Sequence, residues 1–243
     1  MRYKLVIDYV GTDFHGFQRQ VGVKTVQSEL EDALEKLTQE KIVVTASGRT
    51  DAGVHALGQV ISFDTTKDLK EVAFTRGLNN YLPSSIRVRS ACVVDDNFSP
   101  RFSAISKTYM YKLYKSDTES ALKVGREVRF NFEPNIENMK KVALLLQGEH
   151  DFATFMSSGS PVVSTVRTIY FINIDYDGTN MTITVKGNGF LYNMVRIIVA
   201  LLLKVGENKM TLSDARRILE CKDRNEFPYT AQAEGLYLFK VEY

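Results

Sequence analysis

The sequence predicts an α+β fold of two similar α/β halves, with largely antiparallel sheets and a cleft between the halves. Segments in which every second residue is apolar alternate with segments in which apolar residues recur every three or four positions. These patterns occur both before and after a break at residues 98–104. The turn Asp177-Gly178 between two alternating segments indicates an antiparallel hairpin in the second half. We therefore predict halves at residues 1–104 and 105–243.

The composition is that of a globular protein with one or two domains. The 243 residues are 44% hydrophobic and 25% charged, with a formal net charge of +2, which neither indicates nor excludes nucleic-acid binding. Cys92 and Cys221 are isolated, which favours structural thiols in a reducing compartment. Residues 1–10 carry charges that a signal peptide lacks, and the apolar run 197–203 is too short to span a membrane. We expect a cytoplasmic protein without a membrane partner.

The first half is predicted to contain four strands and two helices. Leu5 and Ile7 alternate with polar neighbours, as in a strand. Thr25 is a helix cap, because apolar residues follow it at helical spacing and Glu29 lies in the first turn. A second helical stretch ends at Pro83. The predicted strands are residues 3–9, 41–46, 58–63 and 86–94, and the predicted helices are 26–37 and 69–80.

The second half shows the same alternation of strands and helices. Asn135 caps a helix that closes at Gly148, and Thr211 caps another, with Asp214 completing a capping box. A nearly continuous apolar segment ending at Gly206 is typical of a buried helix. The predicted strands are residues 107–114, 166–176, 181–186 and 236–243, and the remaining two helices cover 191–205 and 211–221.

Residues 47–56 form the most distinctive loop of the sequence. Glycines flank Arg49, Thr50 and Asp51, and such glycines permit a left-handed backbone or a close approach. A solvated turn in which the Asp51 side chain accepts a hydrogen bond from the nearby backbone has the same composition. The loop alone therefore leaves open whether Asp51 is a turn residue or a catalytic one.

Arg196 gives Asp51 a candidate partner. It begins an otherwise apolar helix, so its guanidinium must either pair with another group or extend to solvent. Pairing with a carboxylate would lower the pKa of that carboxylate below the ordinary Asp value of about 3.9. An ionised carboxylate suits nucleophilic attack or stabilisation of positive charge better than it suits a general base. Our hypothesis is that this carboxylate is Asp51.

The other candidate features are less specific. Tyr109, Tyr111 and Tyr114 alternate with Lys107 and Lys112, a pattern that fits either a platform for stacking nucleobases or half-buried strand tyrosines. The sequence has no P-loop, no dinucleotide-binding glycine motif and no zinc-ligand spacing. We expect a protein that needs neither a cofactor nor a metal.

Taken in order, the motifs resemble those of the tRNA pseudouridine synthase A (TruA) family along essentially the whole chain. Residues 47–56, the sequence SGRTDAGVHA, are similar to the catalytic loop of that family and are the most specific match. The remaining similar segments are 9–20, 106–111, 194–196 and 233–238.

This resemblance implies an isomerase without a cofactor that converts uridines of the tRNA anticodon stem-loop, at positions 38 to 40, to pseudouridine. It implies Asp51 as nucleophile, paired with Arg196. It further implies that Tyr109 stacks on the target base, Arg49 helps displace the uridine and Leu236 packs against the base. The family is homodimeric, so a second copy of the chain is an expected partner beside tRNA.

Two other functions remain open on the residues alone. An RNA-binding module without catalysis would not need the carboxylate of Asp51. An Asp-dependent hydrolase of small glycosides or phosphates would release free base or phosphate, although the lack of metal-ligand motifs argues against a phosphatase.

Overall fold

The computed structural model describes residues 1–159 and 162–243, and the chain divides into two compact units. Unit 1 comprises Met1–Ile105 together with Tyr237–Tyr243, and unit 2 comprises Ser106–Leu236. The C-terminal strand, predicted to lie wholly in the second half, has its last seven residues in unit 1. The reason is the pairing of that strand, described below.

Unit 1 is built on a sheet with strand order β4-β1-β3-β10. Strand β1 runs antiparallel to both β3 and β4, with Leu5 opposite Ile61 on one side and Ala91 on the other. Its α-helices and strands are β1 (Arg2–Tyr9), α1 (Val26–Thr38), β2 (Thr45–Ala46), β3 (His55–Asp64), α2 (Leu78–Tyr81), β4 (Ile86–Val94) and β10 (Leu236–Glu242), of which only the first residue belongs to unit 2.

Helix α1 begins where the sequence predicts, because Thr25 forms a capping box with Ser28. The Ser28 N–H donates to the Thr25 hydroxyl at 3.2 Å, and the Thr25 N–H donates to the Ser28 hydroxyl at 3.1 Å. Leu30 and Leu34 are fully buried on one face of the helix. The apolar spacing of the sequence therefore identifies the face that packs into the core.

The predicted strand 41–46 is wrong over most of its length. Only Thr45–Ala46 pairs, antiparallel to β3. The Val44 N–H donates instead to the buried carboxylate of Glu31, at 3.1 Å. The carboxylate of Glu31, on α1, thus accepts the hydrogen bond that a main-chain carbonyl of a neighbouring strand would otherwise accept.

Strand β10 is a parallel neighbour of β3, with Tyr237 opposite His55 and Leu238 opposite Ala56. This pairing returns the end of the chain to unit 1. It also places β10 beside the strand that follows the loop 47–54.

Unit 2 is built on a sheet of order β5-β9-β8-β7, in which β5 also pairs with β6. The predicted hairpin is confirmed, with β8 antiparallel to β9 across the Asp177-Gly178 turn. Its helices and strands are β5 (Ser106–Lys115), β6 (Val128–Phe130), α3 (Ile136–Leu145), β7 (Gly148–Asp151), β8 (Val166–Tyr176), β9 (Asn180–Gly187), α4 (Met194–Gly206) and α5 (Leu212–Cys221).

Strands β6 and β7 are not predicted by the sequence, because they have three and four residues and no clear alternation. Gly148 was expected to close α3, but that helix ends at Leu145 and Gly148 begins β7. The predicted α+β class with largely antiparallel strands is confirmed in both units. Among the described residues, none of the helices is long and apolar enough to cross a membrane.

Candidate active site

The loop 47–54 connects β2 to β3 and carries Asp51 at its centre. At its start, the Ser47 N–H donates to the Val60 carbonyl at 2.8 Å, and after Asp51 the Val54 N–H donates to the Asp51 carbonyl at 3.1 Å. Asp51 is half-buried and Arg49 is exposed. The loop therefore has a fixed backbone but leaves both charged side chains access to solvent.

The first loop of unit 1, residues 10–22, packs against the main chain of this segment. The Phe17 N–H donates to the Thr50 carbonyl at 3.0 Å. Gly16 has a φ of +83°, and a Cβ there would lie 2.9 Å from the Thr50 carbonyl oxygen. A Cβ on Gly11 would lie 2.0 Å from the Val54 carbonyl oxygen. Glycine is required at both places because the two main chains touch.

His55 is fully buried at the end of the loop, with a hydrogen bond at its ring edge and an aromatic contact at one face. Its Nδ1 accepts a hydrogen bond from the Gly11 N–H at 3.0 Å, and its ring stacks on Tyr237 with centroids 4.5 Å apart. The accepting Nδ1 carries no proton in this arrangement. These contacts connect the first loop, β3 and β10.

In unit 2, Tyr109 lies on β5, opposite Val185 of β9, and is half-buried. The rings of Tyr109 and Phe190 meet edge to face, with centroids 5.2 Å apart and an interplanar angle of 87°. Contact with Phe190 restricts the rotamers of Tyr109. Such a fixed aromatic ring fits the stacking role that the resemblance implies.

Arg196 lies in the first turn of α4, and two groups orient its guanidinium. Its Nη1 donates to the Asn193 side-chain oxygen at 2.9 Å, and its Nε donates to the Ala231 carbonyl at 2.7 Å. Asn193 precedes the helix in the left-handed region, with a φ of 62°. The sequence left open whether the guanidinium pairs or extends to solvent, with the carboxylate of Asp51 as the hypothesised partner. These two hydrogen bonds go to neutral groups of the same unit.

Leu236 begins β10 and is 6% exposed. The segment before it is held by Tyr111, whose hydroxyl donates to the Gln232 carbonyl at 2.8 Å. A Cβ on Gly235 would lie 2.6 Å from the Tyr111 ring. Burial, with a smaller effect of Glu234, raises the pKa of Tyr111, so the phenol remains a donor.

The structure brings Arg49 and Asp51 together in one loop of unit 1 and places Tyr109, Arg196 and Leu236 within the residues of unit 2. The ion pair of Asp51 with Arg196 would join residues of different units, and it stays a prediction.

Across the described ranges 1–159 and 162–243, no group of three or more His, Cys, Asp or Glu side chains is placed to hold a metal ion. The expectation that the protein works without a cofactor stays a prediction.

Sequence reasoning missed three polar residues that support this site, namely Tyr9, Gln59 and Asn193. Gln59 left a detectable signal, because it is a polar side chain between apolar neighbours of a strand, and it is fully buried. Such a residue must find hydrogen-bond partners, and its partners lie in the loop 47–54. Tyr9 lies in the similar segment 9–20 but was assigned no role there, and Asn193 gave no comparable signal.

Comparison with known proteins gives full-length similarity. A family model described as tRNA pseudouridine synthase matches residues 5–103 and 142–243, two segments consistent with two similar halves. The chain is 44% identical over 246 residues to tRNA pseudouridine synthase A of Lactobacillus acidophilus, covering 100% of this chain and 94% of that protein. It is 41% identical over 245 residues to tRNA pseudouridine synthase A of Bacillus subtilis, covering 100% and 99%. Against the protein of that name from Acetivibrio thermocellus it is 41% identical over 240 residues, covering 99% and 98%.

Proposed function

The chain belongs to the tRNA pseudouridine synthase family, and from this premise we propose that it isomerises uridines at positions 38 to 40 of the tRNA anticodon stem-loop to pseudouridine. The observation that carries the proposal is similarity over the full chain, at 44% identity, to a protein named tRNA pseudouridine synthase A. The family resemblance inferred from the sequence motifs is confirmed by the same finding. The cytoplasm is the proposed location, since that is where tRNA is available.

The proposed reaction moves one glycosidic bond. The bond between N1 of uracil and C1′ of ribose breaks, with its electron pair on the uracil. The base turns within the site and is rejoined to C1′ through C5, and the net proton change is loss from C5 and gain at N1. The detached uracil can carry the negative charge, so the second carboxylate typical of glycoside hydrolases is not needed.

In this proposal Asp51 is the nucleophile, and Arg196 is its ion-pair partner. The bond that the carboxylate forms with the nucleotide is broken again when C5 joins C1′, so that Asp51 is regenerated. A carboxylate held beside a guanidinium is ionised at neutral pH, which suits attack better than proton abstraction. The half-buried carboxylate on a fixed loop supports the assignment. Fixed geometry is what a nucleophile requires for an efficient approach to its target.

The remaining roles concern the substrate. Tyr109 stacks on the target base, a contact typically worth roughly 1–3 kcal/mol per base. The exposed Arg49 helps displace the uridine from the stem. Flipping a paired base out of a stem costs a few kcal/mol. Leu236 packs against the base, and two copies of the chain form the working homodimer.

The substitution Asp51→Asn tests the proposal because it removes the charge and keeps the size of the side chain. We expect pseudouridine formation to fall at least a thousandfold, since a nucleophile is lost, while the Kd for tRNA changes little. Mapping of pseudouridine in a tRNA transcript incubated with either protein measures the first quantity, and filter binding measures the second.

A matched control is Asp13→Asn, which removes an exposed Asp from the neighbouring loop and should leave the rate unchanged. Equal product from the wild type and Asp51→Asn would refute the catalytic role. Tight tRNA binding without product from the wild type would favour the binding module instead.

A further inference from the structure

The segment that leads into Asp51 rests on a buried polar network. The Tyr9 hydroxyl and the Thr50 hydroxyl are 2.7 Å apart, and the two residues are only 4% and 7% exposed. Gln59, fully buried, accepts a hydrogen bond from the Ser47 hydroxyl at 2.6 Å. Its side-chain amide donates to the Gly48 carbonyl at 2.9 Å. The network therefore holds the loop at three of the four residues that precede Asp51.

The hydroxyl of Tyr9 is a permanent member of this network. Burial raises the pKa of Tyr9 to about 12, and hydrogen bonds with Thr50 and Gln59 oppose that effect only in part. The phenol is therefore protonated throughout the physiological range. It provides a neutral hydrogen bond whose strength does not change with pH near neutrality.

Hydrophobic packing alone does not explain why the buried positions 9, 50 and 59 carry polar side chains. Buried polar side chains stabilise a protein little in net terms, but leaving one unpaired costs about 1–3 kcal/mol. A satisfied network consequently penalises every loop conformation that breaks it. Here the penalised conformations are those in which the main chain next to Asp51 has moved.

We propose that the hydroxyl pair of Tyr9 and Thr50, together with the amide of Gln59, forms a latch that positions Asp51 for attack. These three are positioning residues, because they act through the main chain of the loop. The inference rests on the proposed role of Asp51 and adds the means by which unit 1 fixes that carboxylate.

The first test separates positioning from general stability. Thr50→Val keeps the shape of Thr50 and removes its hydroxyl, while Thr50→Ser keeps the hydroxyl. We expect Thr50→Val to lower kcat at least tenfold with a Kd for tRNA within about twofold of the wild type, since small displacements of reacting groups cost up to about a hundredfold in rate. Thr50→Ser should restore most of the kcat.

Tyr9→Phe has a matched control on the same strand. Tyr3 is also fully buried, and its hydroxyl donates to the Leu69 carbonyl at 2.9 Å, away from the loop. Both substitutions remove one buried hydroxyl, so we expect similar decreases in Tm. Only Tyr9→Phe should lower kcat, and an equal loss of kcat in Tyr3→Phe would overturn the latch.

Amide hydrogen exchange tests the latch without any assay of activity. The N–H groups of Phe17 and Val54 donate to the carbonyls of Thr50 and Asp51, so their exchange reports on the loop backbone. Thr50→Val should speed exchange at both amides, and Thr50→Ser should not. Unchanged exchange, or faster exchange with an unchanged kcat, would overturn the latch. A wild type that forms no pseudouridine would instead refute the proposed function, while the exchange result would still stand.

Discussion

At the scale of single residues, Gly16 shows how closely the first loop supports the candidate catalytic segment. Its φ of +83° lies in the left-handed region, and a Cβ would also lie 3.3 Å from the Ala52 nitrogen. Gly22, in the same loop, has a φ of +78° but no atom within 4 Å of its hypothetical Cβ. Both glycines adopt a positive φ, and only at Gly16 would an added Cβ also meet neighbouring main-chain atoms.

Substitution of each glycine by alanine separates these two requirements. Gly22→Ala should lower the free energy of unfolding by about 1–2 kcal/mol, the cost of a left-handed L-residue, without changing kcat. Gly16→Ala should cost at least as much and should also lower kcat, because the added methyl displaces the main chain at Thr50. Urea unfolding and single-turnover kinetics measure the two effects. An unchanged kcat in Gly16→Ala would show that the loop tolerates the displacement.

At the scale of elements, the start of α4 determines how Arg196 is presented. Asn193 adopts a φ of 62° immediately before the helix, and its side-chain oxygen accepts from Arg196. Its side-chain amide donates to the Ser157 hydroxyl at 3.0 Å. The residue therefore supplies both the left-handed backbone that begins the helix and an anchor for the guanidinium.

Asn193→Gly removes the anchor without straining the backbone, since glycine adopts the left-handed region readily. We expect kcat to fall by about tenfold, because a hydrogen bond to a charged group contributes about 1.5–3 kcal/mol. Asn208→Gly is the control, as Asn208 also has a positive φ of 57° and accepts one side-chain hydrogen bond, from Asn135. Initial rates on one tRNA compare the two variants. An equal loss of activity in both would contradict the prediction.

At the scale of the whole molecule, charge and surface composition bear on the partners. A net charge of +2 on 243 residues means that attraction to tRNA must come from local groups of Lys and Arg. Phe102 and Ile105 are large apolar side chains exposed by 82% and 64%. Scattered exposed apolar side chains are normal on protein surfaces and do not by themselves mark an interface.

The proposed homodimer predicts a solution mass of two chains. Static light scattering across a tenfold range of protein concentration should give that mass throughout, because obligate symmetric dimers do not populate free monomers appreciably. A mass of one chain at micromolar concentration would contradict the dimer and leave the catalytic proposal intact.

Much of the fold follows from the sequence because its signals are local. The alternation in β1, the capping box of α1 and the turn between β8 and β9 depend on residues close together in the chain. For the site, the motifs point to the loop 47–56 and five candidate residues, whose roles stay predictions. The sequence also predicted correctly that Arg196 lies in the first turn of a buried helix.

By itself, then, the sequence determined the family, the α+β class and the segment that carries Asp51. Only the tertiary structure decided that β10 pairs with β3, that Glu31 bonds the Val44 N–H, and that Gln59 holds the loop before Asp51. The physical reason is separation along the chain. A strand or a cap is stabilised by its own neighbours, whereas these hydrogen bonds form only after folding brings distant segments together.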